Sequence, residues 1–156
     1  MEIPKRLLDF LEQTKVDYEV LEHPEAPTAQ ELAALEHVKG RYHAKVVMVR
    51  AENELVMTIV PSDRRVDLDK LEGVLGKPVA LATEDEFKEL FPDCSVGRMP
   101  PFGNLYGLPM YIDKSFQEGD FIVFEAGTPN ESIKMNYQEF QCLAESKIAD
   151  FTVKLT

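Results

Sequence analysis

No stretch of the 156-residue chain is apolar over anything near the roughly 20 residues needed to cross a bilayer. The N-terminus offers no signal-peptide core either, because Glu2, Lys5, Arg6, Asp9 and Glu12 interrupt its apolar residues. A cytoplasmic protein with no membrane partner is the expectation. Cysteine is scarce: Cys94 and Cys142 stand far apart with no C-x-x-C spacing, so free thiols in a reducing compartment are expected. His23, His37 and His43 show no zinc spacing with a cysteine or carboxylate, and neither a metal nor another cofactor is expected. The G-x-S-x-G, P-loop and G-x-G-x-x-G motifs are all absent. A hydrolase built on this chain cannot lean on a familiar nucleophile or metal signature. Positive charge is also short, with 17 Lys+Arg against 28 Asp+Glu and a net charge of -11. That balance argues against broad electrostatic binding to nucleic acid, while leaving room for a local basic mouth that takes only the end of an RNA.

What is present suits one globular domain spanning residues 1–156. The 44% hydrophobic and 29% charged shares are ordinary for a packed chain and argue against disorder. No internal repeat or low-complexity linker divides it. Leu7, Leu8 and Leu11 stand at helical spacing after Pro4, which predicts a helix over 4–14. Tyr18 to His23 reads as a short extended segment. Thr28-Ala29-Gln30-Glu31 is a capping-box pattern opening a helix to about Leu35, and 37–41 reads as a loop. The β-branched runs Ala44–Arg50 and Glu54–Val60 predict a hairpin turning at Glu52-Asn53. A helix starting around Val66, a short strand at Val79–Leu81 and a second capping box at Thr83–Glu86 follow. Residues 91–109 carry so many prolines and glycines that no regular element is expected, and a loop that long is usually functional or mobile. Strands are expected at Met110–Asp113, Phe121–Glu125, Ser132–Met135 and Ile148–Leu155, with a helix capped by Asn136. Short strands and helices intermix without a βαβ repeat, which predicts an α+β fold with a curved, mixed, mainly antiparallel sheet and short flanking helices.

Five places invite chemistry. Lys45 lies in a strand whose two faces both read as apolar, and an ammonium there costs desolvation unless an anion or a cavity receives it. The alternative is a lysine whose stem snorkels to solvent. Gly97-Arg98-Met99-Pro100-Pro101 could bring backbone N–H groups close to a ligand as an oxyanion site, or could be a rigid surface connection. Gly127-Thr128-Pro129-Asn130 could line a pocket or merely turn a hairpin. Asp113 ends a strand after the Pro/Gly segment, where a binding group or a turn-forming aspartate would both fit. Lys39, Arg41, Lys45, Arg64 and Arg65 cluster in sequence as a possible basic mouth or an ordinary solvated face.

Taken in order, several of these pieces are similar to the YbaK/prolyl-tRNA-synthetase-associated domain family. They are His37-Val38-Lys39-Gly40-Arg41 with Ala44-Lys45-Val46-Val47, then Val60-Pro61-Ser62-Asp63-Arg64-Arg65, the G-x-x-x-P loop from Gly97 to Pro101, Asp113, and Phe124-Glu125-Ala126-Gly127-Thr128 with Ser132–Met135. The resemblance runs from about Thr28 to Leu143. It implies a compact α+β fold and hydrolysis of mischarged aminoacyl-tRNA carrying a small amino acid, notably alanine or cysteine on proline tRNA. It implies Lys45, Gly97 and Gly127 at the reacting centre, with Arg41, Arg64, Pro101, Asp113 and Thr128 around the substrate. The implied partners are the 3′ end of aminoacyl-tRNA and a synthetase. Many relatives carry a histidine in a G-x-H pattern where this chain has Pro129, which bears on specificity. A non-catalytic module that binds the same ligand or a synthetase, and a small-molecule hydrolase outside translation, are the rival readings.

Overall fold

The computed structural model describes residues 2–26, 28–35 and 38–155, so His37 of the predicted loop lies outside the described residues. The N-terminal apolar stripe folds as helix α1 (Lys5–Gln13), which buries Leu7 and Leu11 completely. Strand β1 (Tyr18–Glu22) follows, then helix α2 (Ala29–Leu35). Thr28 Oγ1 accepts from the Glu31 N–H at 3.1 Å, as its capping pattern predicts. The β-branched runs form the hairpin of β2 (His43–Ala51) and β3 (Glu54–Pro61). Next come β4 (Arg64–Val66), α3 (Leu68–Leu75), β5 (Val79–Leu81) and α4 (Glu84–Phe87). Beyond the Pro/Gly-rich segment lie β6 (Met110–Asp113), β7 (Phe121–Thr128), β8 (Glu131–Asn136) and α5 (Tyr137–Ala144). Two short strands, β9 (Lys147–Ala149) and β10 (Thr152–Lys154), close the chain.

The main sheet runs β1-β8-β7-β2-β3-β6-β9, with β5 added to the far end of β2. The pairings β1/β8, β7/β8, β2/β3 and β2/β5 are antiparallel, while β2/β7, β3/β6 and β6/β9 are parallel. This is the mixed, mainly antiparallel α+β architecture that the pattern predicts. Alternation along the strands sends Ala44, Met48, Ile122, Phe124, Ala126, Ile133 and Met135 into one core with α1, α5 and Phe102. Val49, Val56 and Val60 belong to a second, smaller core with Leu71 and Phe151. Each fully buried large side chain contributes about 1.5–3 kcal/mol. Two cores on opposite faces explain why both faces of β2 read as apolar.

Three local expectations fail for identifiable reasons. Val66 ends a strand over 64–66 and does not start the helix, because it pairs with Thr152 of β10 and the helix begins only after its cap, Asp67. The C-terminal strand is broken in two at Asp150–Phe151. Phe151 is fully buried there and its N–H donates to Asp113 Oδ1 at 3.2 Å, so β9 pairs with β6 while β10 pairs with β4. The segment 91–109 is packed, with Phe91, Met99 and Phe102 buried and one 3-10 turn at Gly103–Tyr106. Apolar side chains between the prolines and glycines supply that anchorage.

Candidate functional site

Strand β2 shares one edge with two different neighbours. It runs parallel to β7 through His43 and Ala44, then antiparallel to β5 from Val49 to Ala51. Lys45, Val46 and Val47 fall between, with no paired strand on that edge among the described residues. Where β2 and β7 part, a cleft of about 260 Å³ opens. Ala44, Lys45 and Val46 form one wall, and Phe124 and Glu125 of β7 form another. The 96–99 loop and the start of α2, Thr28 and Ala29, complete it. Lys45 also borders a broader trough of about 630 Å³, lined by Val47, Arg65, Val66, Leu68 and Leu81 among others. One side chain therefore borders both the smaller cleft and the broader trough.

Lys45 is half-buried. Burial pulls its amine below the ordinary lysine range, and the Asp63 carboxylate acts in the opposite direction. Among the described residues, Asp63 Oδ1 is buried without a hydrogen-bond partner. The cleft thus receives the ammonium that an apolar strand could not.

The loop beside Lys45 is held at several points. Ser95 N–H donates to Gly127 O at 2.8 Å, and Arg98 N–H donates to Ser95 O at 3.0 Å. The Arg98 side chain donates to Glu125 Oε2 at 3.0 Å and to Ala26 O at 2.8 Å, tying the loop to β7 and to the segment before α2. Both partners of this ion pair are largely shielded, at 15% and 12% exposure. Burial pushes the Glu125 carboxyl up, and the Arg98 guanidinium holds it down. Gly97, at the turn, has φ 80° and no protein atom within 4 Å of the position a Cβ would take. Among the described residues its N–H has no backbone acceptor.

The residues singled out in the sequence divide sharply. Lys45 and Gly97 line the cleft. Gly127 does not: it is buried in an irregularity of the β7/β8 pairing, and a Cβ there would sit 2.7 Å from Pro4 Cδ. Its contribution is the carbonyl that anchors the Gly97 loop. Thr128 is buried and accepts from Asn130 N–H at 3.2 Å within the hairpin turn, next to Pro129. Asp113 is buried and accepts from the N–H groups of Ser115 and Phe151, stitching β6 to the C-terminus. Arg64 donates to Thr152 Oγ1 at 2.6 Å and lies 4.0 Å from Asp113. Pro101 is buried and outside the cleft lining, and the exposed Arg41 stacks its guanidinium 4.6 Å from the Tyr42 ring centroid. These six hold the frame around the cleft or lie away from it. Conversely, the sequence reading passed over Arg98, Glu125 and Thr28 as site residues. A signal existed for Glu125, a lone charge inside the apolar run Phe121–Ala126.

Residues 23–143 match the aminoacyl-tRNA editing domain model. The chain is 28% identical over 152 residues to a proline–tRNA ligase of Leuconostoc citreum, covering 92% of this chain but 26% of the ligase. A proline–tRNA ligase of Heliobacterium modesticaldum is 31% identical over 91 residues, 58% of this chain and 16% of that one. The chain thus spans about a quarter or less of these curated relatives. A solved structure described as a candidate trans-editing enzyme for prolyl-tRNA synthetase superposes with a TM-score of 0.81 at 26% identity, covering 97% of this chain and 96% of that one. No helix among the described residues is long and apolar enough to cross a membrane. With a match covering most of its length, the chain belongs to the aminoacyl-tRNA editing domain family.

Proposed function

We propose that the protein is a trans-acting deacylase that hydrolyses the ester of mischarged tRNA carrying a small amino acid, alanine or cysteine on proline tRNA foremost. The observation that carries this reading is the position of Lys45 between the 260 Å³ cleft and the 630 Å³ trough. The smaller space suits an aminoacyl group, and the larger suits a terminal nucleoside. Arg65 and Lys45 offer positive charge to the adjoining phosphate, although Asp67 and Asp69 share the lining, while Leu68 and the 59%-exposed Leu81 offer apolar surface to the base. The similarity to proline–tRNA ligases and to a candidate trans-editing enzyme points to proline tRNA as the carrier.

In this mechanism Lys45 orients the ester through the ribose or the terminal phosphate. Water attacks the carbonyl carbon, and the developing oxyanion is met by the Gly97 N–H. The bond to the ribose oxygen then breaks, that oxygen takes up a proton, and the free amino acid leaves. An aminoacyl ester is already activated, so positioning and oxyanion stabilisation suffice without a protein nucleophile. The cleft sieves by size, since excluding a larger side chain is easier than rejecting a smaller one. A net charge of -11 gives little general affinity for RNA, so a synthetase that presents the tRNA is a fitting partner. Deacylation of proline tRNA carrying alanine, cysteine, serine or proline tests the reading. Rapid loss of a small noncognate ester, with prolyl ester spared, supports it, and no turnover of any ester contradicts it. That second outcome favours non-catalytic capture of the same ligand, a reading that Pro129 supports by placing no titratable side chain where relatives carry histidine.

A further inference from the structure

Among the described residues, Glu125 is the one carboxylate in the lining of the 260 Å³ cleft. The rest of the described wall is chiefly apolar or cationic, with Val46, Phe124, Met99, Lys45 and Arg98, and Thr28 adds a hydroxyl. Strands β2 and β7 are last paired at Ala44 and Phe124, so Lys45 and Glu125 are the next residue on each, as the two strands separate. In a parallel pair, residues at the same register project from the same face, so the two charges flank the opening. They do not neutralise one another. Asp63 is the carboxylate that acts on Lys45, whereas Arg98, with His43 and His23, acts on Glu125. The cleft therefore has Lys45 on one wall and, on the other, a Glu125 carboxylate whose Oε2 meets Arg98 and whose Oε1 lies outside that contact.

An aminoacyl ester has matching polarity. Its ribose and phosphate end carries negative charge, and its free α-amine carries positive charge one carbon from the reacting carbonyl. We propose that Glu125 binds the α-ammonium of the aminoacyl group and makes the free amine a requirement for hydrolysis. A carboxylate offers about four lone-pair sites, of which the Arg98 contact uses one. That contact also fixes the carboxylate's direction and favours its charged form, opposing the burial that pushes the carboxyl up. N-acylated esters, which lack the cation and add bulk at that point, would be spared. The inference rests on the deacylase reading and adds to it the chemistry by which the substrate is admitted.

The test compares alanyl-tRNA with lactyl-tRNA on the same proline tRNA, each rate divided by its uncatalysed hydrolysis. Lactyl is nearly the same size but carries a hydroxyl in place of the ammonium. Wild type is expected to favour alanyl by roughly tenfold to hundredfold, the worth of one charge-assisted hydrogen bond. Glu125→Gln, which is isosteric and can still accept from Arg98, is expected to lower the alanyl rate to the lactyl level and leave the lactyl rate within about twofold. A role confined to holding Arg98 would slow both esters alike, and that result overturns the proposal. Equal handling of both esters by wild type also overturns it, without needing the variant to fold, while leaving the deacylase reading intact. No turnover of alanyl-tRNA or any other aminoacyl ester by wild type removes the deacylase reading and this inference with it.

Discussion

Two glycines with nearly the same backbone conformation occupy opposite kinds of place. Gly97 has φ 80° and Gly127 has φ 89°, in the left-handed region that favours glycine. Around Gly97 the space a side chain would take is empty of protein and belongs to the cleft. Around Gly127 the same space is filled by Pro4, with Cys94 Sγ 3.4 Å away. One glycine leaves room for a ligand, and the other lets α1 and the Cys94 turn close onto the sheet. They are coupled, because the Gly127 carbonyl holds Ser95, two residues before Gly97. A glycine loop in a sequence motif can therefore mean contact with substrate or support for the loop that makes it. Only the surrounding packing distinguishes the two.

The contrast breaks most easily at Gly127. Alanine there adds about 1–2 kcal/mol of backbone strain and about 1–3 kcal/mol of overpacking against Pro4. Urea denaturation should show a loss of roughly 2–5 kcal/mol, with activity falling only as the folded fraction falls. Asp113→Ala comes next. It strips buried N–H groups of their acceptor and should cost about 1–3 kcal/mol, while turnover per folded molecule stays within about twofold. Gly97→Ala should show the reverse balance. Stability should drop by only the strain, about 1–2 kcal/mol, but kcat/KM should fall about tenfold because the ester is displaced from its donor. A larger stability loss at Gly97 than at Gly127 would erase the distinction drawn here.

The smallest effect is in pH. Burial lowers the Lys45 pKa from 10.5, so its cation is lost at a lower pH than that of an exposed lysine. Activity that needs the cation is complete below the folded pKa and declines as pH rises through it, and the decline should begin below pH 10.5. Lys45→Arg, if active, should lack that decline, because guanidinium keeps its proton throughout. Rates corrected for spontaneous ester hydrolysis check both.

The elements were legible wherever local chemistry decides them. The hairpin at Glu52-Asn53, the Thr28 and Asn136 caps and the amphipathic α1 follow from short-range pattern. What depended on distant partners was hidden. Val66 reads as a helix entry until Thr152 of β10 arrives from 86 residues away to pair with it. Lys45 stood out because an ammonium in an apolar strand needs a reason. Arg98 and Glu125 did not, because an ion pair between residues 27 positions apart has no sequence period. Arg64, Asp113 and Thr128 sit in family-like segments and carry polar groups, so sequence alone cannot separate their structural bonds from substrate contacts.

The most direct measurement is single-turnover deacylation of alanyl proline tRNA by Lys45→Ala beside Arg64→Ala, each at a temperature where it is fully folded. Concentration of the chemistry at the cleft predicts a loss of about 100-fold or more for Lys45→Ala and less than about threefold for Arg64→Ala. Unchanged turnover by Lys45→Ala, or an equal loss in both variants, would contradict it.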